Sequence, residues 1–286
     1  MTSQVAALAL WTAASTGLQL ANRVLLGTLA FPGLGLVAVA QNVVTLLVCL
    51  SQWRALVWPP VLRPLVVLGL CTGVSQLLGL AASGFLALSM FGVLRRTSLL
   101  VALAVGLWHG ERHGRGTQVA VVGMTAGAVV ASLSDVSFHA AGYAAVLLDN
   151  VFTVLQRQAL AGSPELPWAT LLLCQALFSL PLLLLFCALA QSAETVAALD
   201  ALAAAGPGSP LAVGFALSAA LGVVLSLCVM RAIARVSPLS LSVAGAAKNN
   251  VLALASLASG PPTNLRNVAG ILLSAAANAL YVWTKS

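Results

Sequence analysis

Charge is what this sequence lacks. Only 7% of its 286 residues are Asp, Glu, Lys or Arg, and just 6 are acids, whereas soluble domains carry roughly 25% charged residues. With 60% of its residues hydrophobic as well, the chain has too few polar side chains to face water all round, and an ordinary soluble domain is excluded. The other absences are equally restrictive. The five cysteines (Cys49, Cys71, Cys174, Cys187, Cys228) lie in apolar runs with no CxxC pair, which argues against a disulfide framework or a zinc site. The three histidines (His109, His113, His139) sit in loops, away in sequence from Ser179 and Ser240, so no nucleophilic or acid–base constellation forms and an enzyme is not expected. His109-Gly-Glu111-Arg-His113 lacks the HExxH spacing of a metal helix and reads as a solvated helix end. No cofactor is called for. There is no Asn-x-Ser/Thr sequon, and no cationic segment precedes the first apolar run, whose first basic residue is Arg23. That run is expected to be retained as a span. The net charge of +7 comes from scattered cations without a basic, aromatic-laced face, so nucleic acid is not an expected partner.

What is present is a succession of apolar runs. A membrane span needs about 20 such residues, and the runs predict ten helices: 5–26, 34–53, 64–82, 85–108, 118–133, 142–160, 167–190, 212–234, 239–258 and 267–283. The expectation is an all-α polytopic membrane protein with a lipid bilayer as its surroundings. Cations orient it. Arg54, Arg63, Arg112, Arg115, Arg157, Arg231, Arg235 and Lys285 fall at one set of helix ends. The opposite ends carry Arg23 and Arg266 together with Asp135, Glu194 and Asp200. The positive-inside rule then predicts that both termini are cytosolic.

Three cations remain inside predicted spans: Arg95, Arg96 and Lys248. A cation at the bilayer centre costs a few kcal/mol or more, so it faces protein or a cavity, and it marks a candidate site. A guanidinium grips phosphate through a bidentate fork. The alternative is a pair of arginines satisfied by carbonyl groups or snorkelling to an interface. A second stretch weighs against that alternative. Residues 88–97, LSMFGVLRRT, superimpose without a gap on residues 241–250, LSVAGAAKNN. The offset is 153 residues, and Arg95 falls on Lys248. Aligned cations in two halves are the pattern of a transporter built from a repeat. The halves are set at 1–136 and 137–286, each with five helices. Amides inside spans (Asn22, Gln41, Asn42, Gln76, Asn150, Gln175, Asn249, Asn250) read first as helix–helix contacts. Asp149 is an available counter-ion for Lys248, Arg95 or Arg96, and sequence leaves that choice open.

These residues resemble a known family. Met90-Phe-Gly-Val-Leu-Arg-Arg-Thr97 is similar to the MFTVLRR signature of the nucleotide-sugar transporters, within the drug/metabolite transporter superfamily. Ser132-Leu-Ser-Asp135-Val-Ser-Phe138 before Gly142-Tyr143 resembles the family's S-D-x-S/A-F stretch, and Asn22-Arg23, Phe31-Pro32 and Gln41 its first-helix pattern. Gly245-Ala-Ala-Lys248-Asn249 is closer to the GAxKN motif of UDP-sugar carriers than to the GALNK of GDP-mannose carriers. The resemblance implies ten helices in two inverted five-helix repeats and a Golgi or endoplasmic-reticulum membrane. It further implies import of a nucleotide sugar, here a UDP-sugar such as UDP-N-acetylglucosamine or UDP-glucuronate, in exchange for UMP. The implied partners are thus the nucleotide sugar and the nucleoside monophosphate, with a homodimer left open. The substrate-binding residues the resemblance implies are Gly245, Lys248 and Asn249, and the reading of intramembrane polar residues adds Arg95, Arg96, Asn150 and Gln175 as candidates. Where GDP-mannose carriers read FYNN, this chain reads Leu173-Cys174-Gln175-Ala176. A GDP-sugar carrier exchanging for GMP is therefore the second reading, and a scaffold that keeps the fold without transport the third.

Overall fold

A computed structural model of the chain describes residues 2–57, 62–86, 88–132, 139–161, 166–259 and 265–285. Among these residues the regular structure is entirely helical. Helix α1 (Thr2–Arg23) runs on into a π-helical turn (Val24–Thr28), and α2 (Leu34–Ser51) follows the Phe31-Pro32-Gly33 bend. Then come α3 (Arg63–Phe85), α4 (Leu88–Leu94), a 3-10 turn (Arg95–Thr97) and α5 (Ser98–Trp108). The remainder is α6 (Arg115–Ser132), α7 (Ala140–Ala161), α8 (Trp168–Leu189), α9 (Ser192–Ala205), α10 (Pro210–Ile233), α11 (Pro238–Ser259) and α12 (Leu265–Lys285).

Every predicted run contains a helix, the fourth being α4 and α5 joined through the 3-10 turn. Among the described residues five stretches are long and apolar enough to cross a membrane: Leu34–Ser51, Arg63–Phe85, Met90–Trp108, Trp168–Leu189 and Pro210–Ile233. Val268–Thr284 forms a shorter apolar helix. One helix departs from the expected set. Residues 192–205, between the predicted runs 167–190 and 212–234, form α9, because alanine and leucine hold a helix well and Glu194 lies in the first turn, beside the positive end of the helix dipole. Gly206, at φ 72°, then ends it in a conformation that favours glycine. Ser209 accepts from the Ala212 amide at 3.1 Å and, with Pro210 behind it, starts α10. The stretch 133–138, with the Asp135 motif, lies outside the described residues.

The chain forms two compact units, and each draws on both halves of the sequence. One contains residues 1–84 and 155–236, the other 85–154 and 237–286. In the first, α2 runs antiparallel to α8, with Gly35 against Cys187 and Asn42 bonded to Ser179. Its core gathers Cys49, Leu65, Leu68, Leu171, Leu172 and Met230. A neighbouring cluster sets Leu25, Phe31, Val37 and Leu80 around Leu183 and Ala198. Helix α3 runs parallel to α8: a Cβ at Gly69 would meet Phe178, and one at Gly73 would meet Leu182. Consecutive helices α2 and α3 therefore point in opposite directions, as successive crossings of one bilayer require.

In the second unit, small residues set the closest approach. Helices α6 and α12 lie antiparallel, so that Gly116 faces Thr284, Gly123 faces Ala277 and Gly127 faces Gly270 and Ser274. Without a large hydrophobic gain between helices in lipid, this kind of backbone contact is what drives their association. A Cβ at Gly127 would stand 2.6 Å from the Gly270 carbonyl oxygen. Gly127→Val should therefore separate α6 from α12 and destabilise the fold by about 1–3 kcal/mol, read as a lower melting temperature in detergent. Gly208→Ala, where a Cβ meets nothing within 4 Å, should leave that temperature unchanged.

Candidate functional site

The second unit holds six of the seven site residues expected from sequence. Arg95 and Arg96 sit on the 3-10 turn between α4 and α5, Asn150 on α7, and Gly245, Lys248 and Asn249 on α11. Helix α11 packs against α4, the turn and α5, which brings the two cation-bearing stretches side by side. Arg96 Nη2 lies 3.5 Å from the Asn249 carbonyl oxygen, and a Cβ at Gly92 would be 3.7 Å from that of Asn249. Arg96 and Asn249 are 153 residues apart, the same offset at which the two stretches superimpose. Residues that correspond in the two halves thus touch each other.

The two arginines, neighbours in sequence, have different surroundings. Arg95 Nη2 donates to Asp149 Oδ2 at 2.6 Å, with the Arg95 side chain 28% exposed and Asp149 fully buried. Its guanidinium lies over the Phe91 ring, 5.2 Å from the centroid, a cation–π contact one helical turn back. Thr153, one turn along α7, donates its hydroxyl to Asp149 Oδ1 at 3.1 Å. Arg95 is thus an ion-pair partner of Asp149. Arg96 is the largest fully buried side chain of the described residues. Its Nε and Nη1 have no hydrogen-bond partner among the described residues. Each unmet buried donor costs about 1–3 kcal/mol, more when charged, so Arg96 is expensive to keep.

Asn150 stitches the turn. Its Nδ2 donates to the Leu94 carbonyl at 3.1 Å and to Thr97 Oγ1 at 2.8 Å. The Thr97 hydroxyl donates to the same Leu94 carbonyl at 2.8 Å. Side-chain bonding of this kind competes with the regular helical ladder, which accounts for a 3-10 turn where the sequence has neither glycine nor proline. Lys248, Asn249 and Asn250 are buried alongside, and the Oδ1 atoms of Asn150 and Asn250 are unpartnered. The reading of residues one by one missed Phe91, Thr97 and Thr153. Phe91 precedes Arg95 by four positions and Thr153 follows Asp149 by four, the spacing of helical neighbours, so that signal was available.

Gln175 belongs to the first unit, on α8, where it is buried. The first unit has a polar interior of its own. Gln41 donates to Ser218 at 3.0 Å and Ser218 to Asn22 at 2.6 Å. Asn42 donates to Gln76 at 2.6 Å and accepts from Ser179 at 2.7 Å. These amides join α1, α2 and α10 on one side and α2, α3 and α8 on the other, the role expected of intramembrane amides. At the end of α5, His113 Nε2 and Glu111 Oε2 stand 3.3 Å apart. Among the described residues no three His, Cys, Asp or Glu side chains gather as a metal site would require.

No family model matches the chain. Over 91 residues, 32% of its length, it is 36% identical to the UDP-sugar transporter UST74c of Drosophila melanogaster. Over 139 residues, 46% of its length, it is 27% identical to the UDP-sugar transporter sqv-7 of Caenorhabditis elegans. The matches span 23% and 42% of those two proteins, well short of their full lengths. A solved crystal structure, 16% identical, superimposes with a TM-score of 0.65 over 99% of this chain and 96% of its own. That likeness is one of fold. Both relatives are named as UDP-sugar transporters.

The pairing around Asp149 has a stability consequence. Arg95→Ala strips a fully buried carboxylate of its ion-pair partner. It should destabilise the protein by about 2 kcal/mol, moderated by the partial exposure of Arg95. The double variant Arg95→Ala with Asp149→Ala should recover part of the loss. Thermal melting of the three proteins in one detergent checks this, and a double variant no more stable than Arg95→Ala would refute the pairing.

Proposed function

We propose that the chain is a nucleotide-sugar transporter that carries a UDP-sugar and exchanges it for UMP across a Golgi or endoplasmic-reticulum membrane. The observation that carries the proposal is the meeting of two cation-bearing stretches, 90–97 and 245–250, inside one helical unit. Arg95, Arg96 and Lys248 lie there with Asp149, the one buried carboxylate among the described residues. An apolar interior with surplus positive charge and open donors suits a ligand that brings its own negative charge, and the phosphates of a nucleotide do so. The names of both relatives favour UDP over GDP as the nucleotide part. Each is named as a transporter, and a transport function needs no enzymatic step here.

In this reading ten helices cross the bilayer as two inverted repeats, at 1–136 and 137–286, with both termini cytosolic. Lys248 neutralises phosphate as a flexible point charge, suited to a ligand that arrives and departs. Asn249 and Gly245 line the same stretch of α11, and Asn150 sits on α7 opposite the turn. Gln175, on α8, belongs to the first unit and is not part of this cluster. Exchange follows from charge: an empty carrier that keeps Arg96 buried with open donors reorients reluctantly. Loading with an anion on either side lowers that barrier.

The test is transport by the purified full chain in liposomes preloaded with UMP or GMP. Labelled UDP-N-acetylglucosamine, UDP-glucuronate, GDP-mannose and GDP-fucose are offered outside. UMP-loaded vesicles should take up a UDP-sugar, and empty vesicles should take up little. Lys248→Gln should insert normally and lose exchange by about tenfold or more, equivalent to at least about 1.4 kcal/mol. Lys248→Arg should keep part of the activity. Exchange of a GDP-sugar for GMP alone would transfer the assignment to that substrate class, and full transport by the Gln variant would remove Lys248 from the site. Tags at the two ends should both be stained after selective permeabilisation of the plasma membrane. A lumenal terminus would overturn the orientation.

A further inference from the structure

Two adjacent residues of α7 hold both flanks of the 3-10 turn and leave its middle residue uncommitted. Asp149 takes Arg95 through the 2.6 Å ion pair. Asn150 takes the Leu94 carbonyl and the Thr97 hydroxyl, the two ends of the turn. Between them Arg96 is fully buried, with one long bond, 3.5 Å, to the Asn249 carbonyl oxygen and with Nε and Nη1 unpartnered.

We infer that Arg96, and not Arg95, is the guanidinium that grips phosphate. Asp149 and Asn150 are then positioning residues that aim it. The inference rests on the phosphate-bearing substrate class proposed above and divides the labour within that site. Arg95 is unsuited to a ligand that comes and goes. Its charge is already cancelled by Asp149, and its face lies on Phe91. Arg96 has the opposite properties: full charge, no acid paired with it, and open donors on a planar fork that matches phosphate oxygens two at a time. The turn determines where that fork points. A 3-10 segment winds at about 3.0 residues per turn instead of 3.6, so each step rotates the side chain by roughly 20° more than an α-helix would. If the turn relaxed to α-helix, Arg96 would swing away from its direction toward α11. The Asn150 hydrogen bonds are what prevent that relaxation, because Asn150 occupies the carbonyl that the α-helical ladder would otherwise use.

Binding to the purified full chain in detergent, followed by thermal melting, separates the roles. The probes are uridine, UMP and inorganic pyrophosphate. Wild type should bind UMP about tenfold or more tighter than uridine, and should bind pyrophosphate. Arg96→Gln should erase the UMP advantage and the pyrophosphate response. Arg96→Lys, which keeps the charge and loses the fork, should retain UMP over uridine with UMP weakened about threefold. It serves as the test should the Gln variant fail to fold. Asn150→Ala and Thr97→Val should each weaken UMP about tenfold while uridine is unchanged, and the double variant should be no weaker than either, since both remove one hydrogen bond. Thr97→Ser should restore UMP binding. In the exchange assay the Asn150 and Thr97 variants should raise KM and leave kcat within about twofold.

The outcomes that count against each proposal differ. If Arg96→Gln keeps the full gap between UMP and uridine, Arg96 is not the ligand, even where wild type exchanges nucleotide sugars. If Asn150→Ala weakens uridine as much as UMP, the aiming role falls. If pyrophosphate binds and is lost in Arg96→Gln while no nucleotide sugar is exchanged, the transport reading fails and the anion site stands. A wild type that responds to neither UMP nor pyrophosphate overturns both.

Discussion

A guanidinium surrounded by apolar side chains has to be neutralised, hydrogen-bonded or supplied with an anion, and the interior of the second unit is arranged around that requirement. The ion pair between Arg95 and Asp149 meets it once, at 2.6 Å and with the acid wholly buried. The pair needs its own support, and gets it from the Thr153 hydroxyl and the Phe91 ring. The neighbouring residue meets the requirement in no such way. Its surroundings provide a single long contact to a carbonyl. The difference between two adjacent identical side chains comes from the turn that carries them. A regular helix would place them about 100° apart, and the tighter winding parts them further.

The two units treat polarity differently. In the first, polar side chains close upon one another: Ser218 accepts from Gln41 and donates to Asn22, and Asn42 both donates to Gln76 and accepts from Ser179. Satisfied amide networks fix how helices sit against each other and leave little for a ligand. In the second unit Arg96 Nε and Nη1, Asn150 Oδ1 and Asn250 Oδ1 are unmet among the described residues, on the turn, α7 and α11, besides His113 Nε2 and Ser274 Oγ elsewhere in the unit. Donors and acceptors are both open there, which suits a ligand with charged and uncharged polar parts.

Much of this was legible in the sequence, for identifiable reasons. Apolar runs of sufficient length announce helices whatever their tertiary partners, so each predicted run holds one. Helix α9 escaped because fourteen alanine-rich residues containing Glu194 and Asp200 are too short and too polar to read as a span. The break at Arg95–Thr97 escaped because its cause is a side chain 53 residues away, Asn150 on α7. That Arg95 pairs with Asp149 depends on rotation about helix axes, which residue spacing alone does not determine. Six of the expected site residues share one unit because both charged motifs lie on helices packed together. Gln175 was placed beside them through a family motif that this chain has largely lost, and its own helix packs in the other unit.

The interleaving of the two units has a consequence for how the protein is made. The first unit is assembled from residues 1–84 and 155–236, the second from 85–154 and 237–286. Neither can be completed from the first half of the chain. During synthesis Arg95 and Arg96 leave the ribosome 54 and 153 residues ahead of Asp149 and Asn249, the groups they touch. Two cations must therefore wait, at the membrane or within the insertion machinery, until the later helices arrive. A chain stopped near its midpoint would expose both arginines with most of their partners still to come. Quality control could recognise it by charge as readily as by shape.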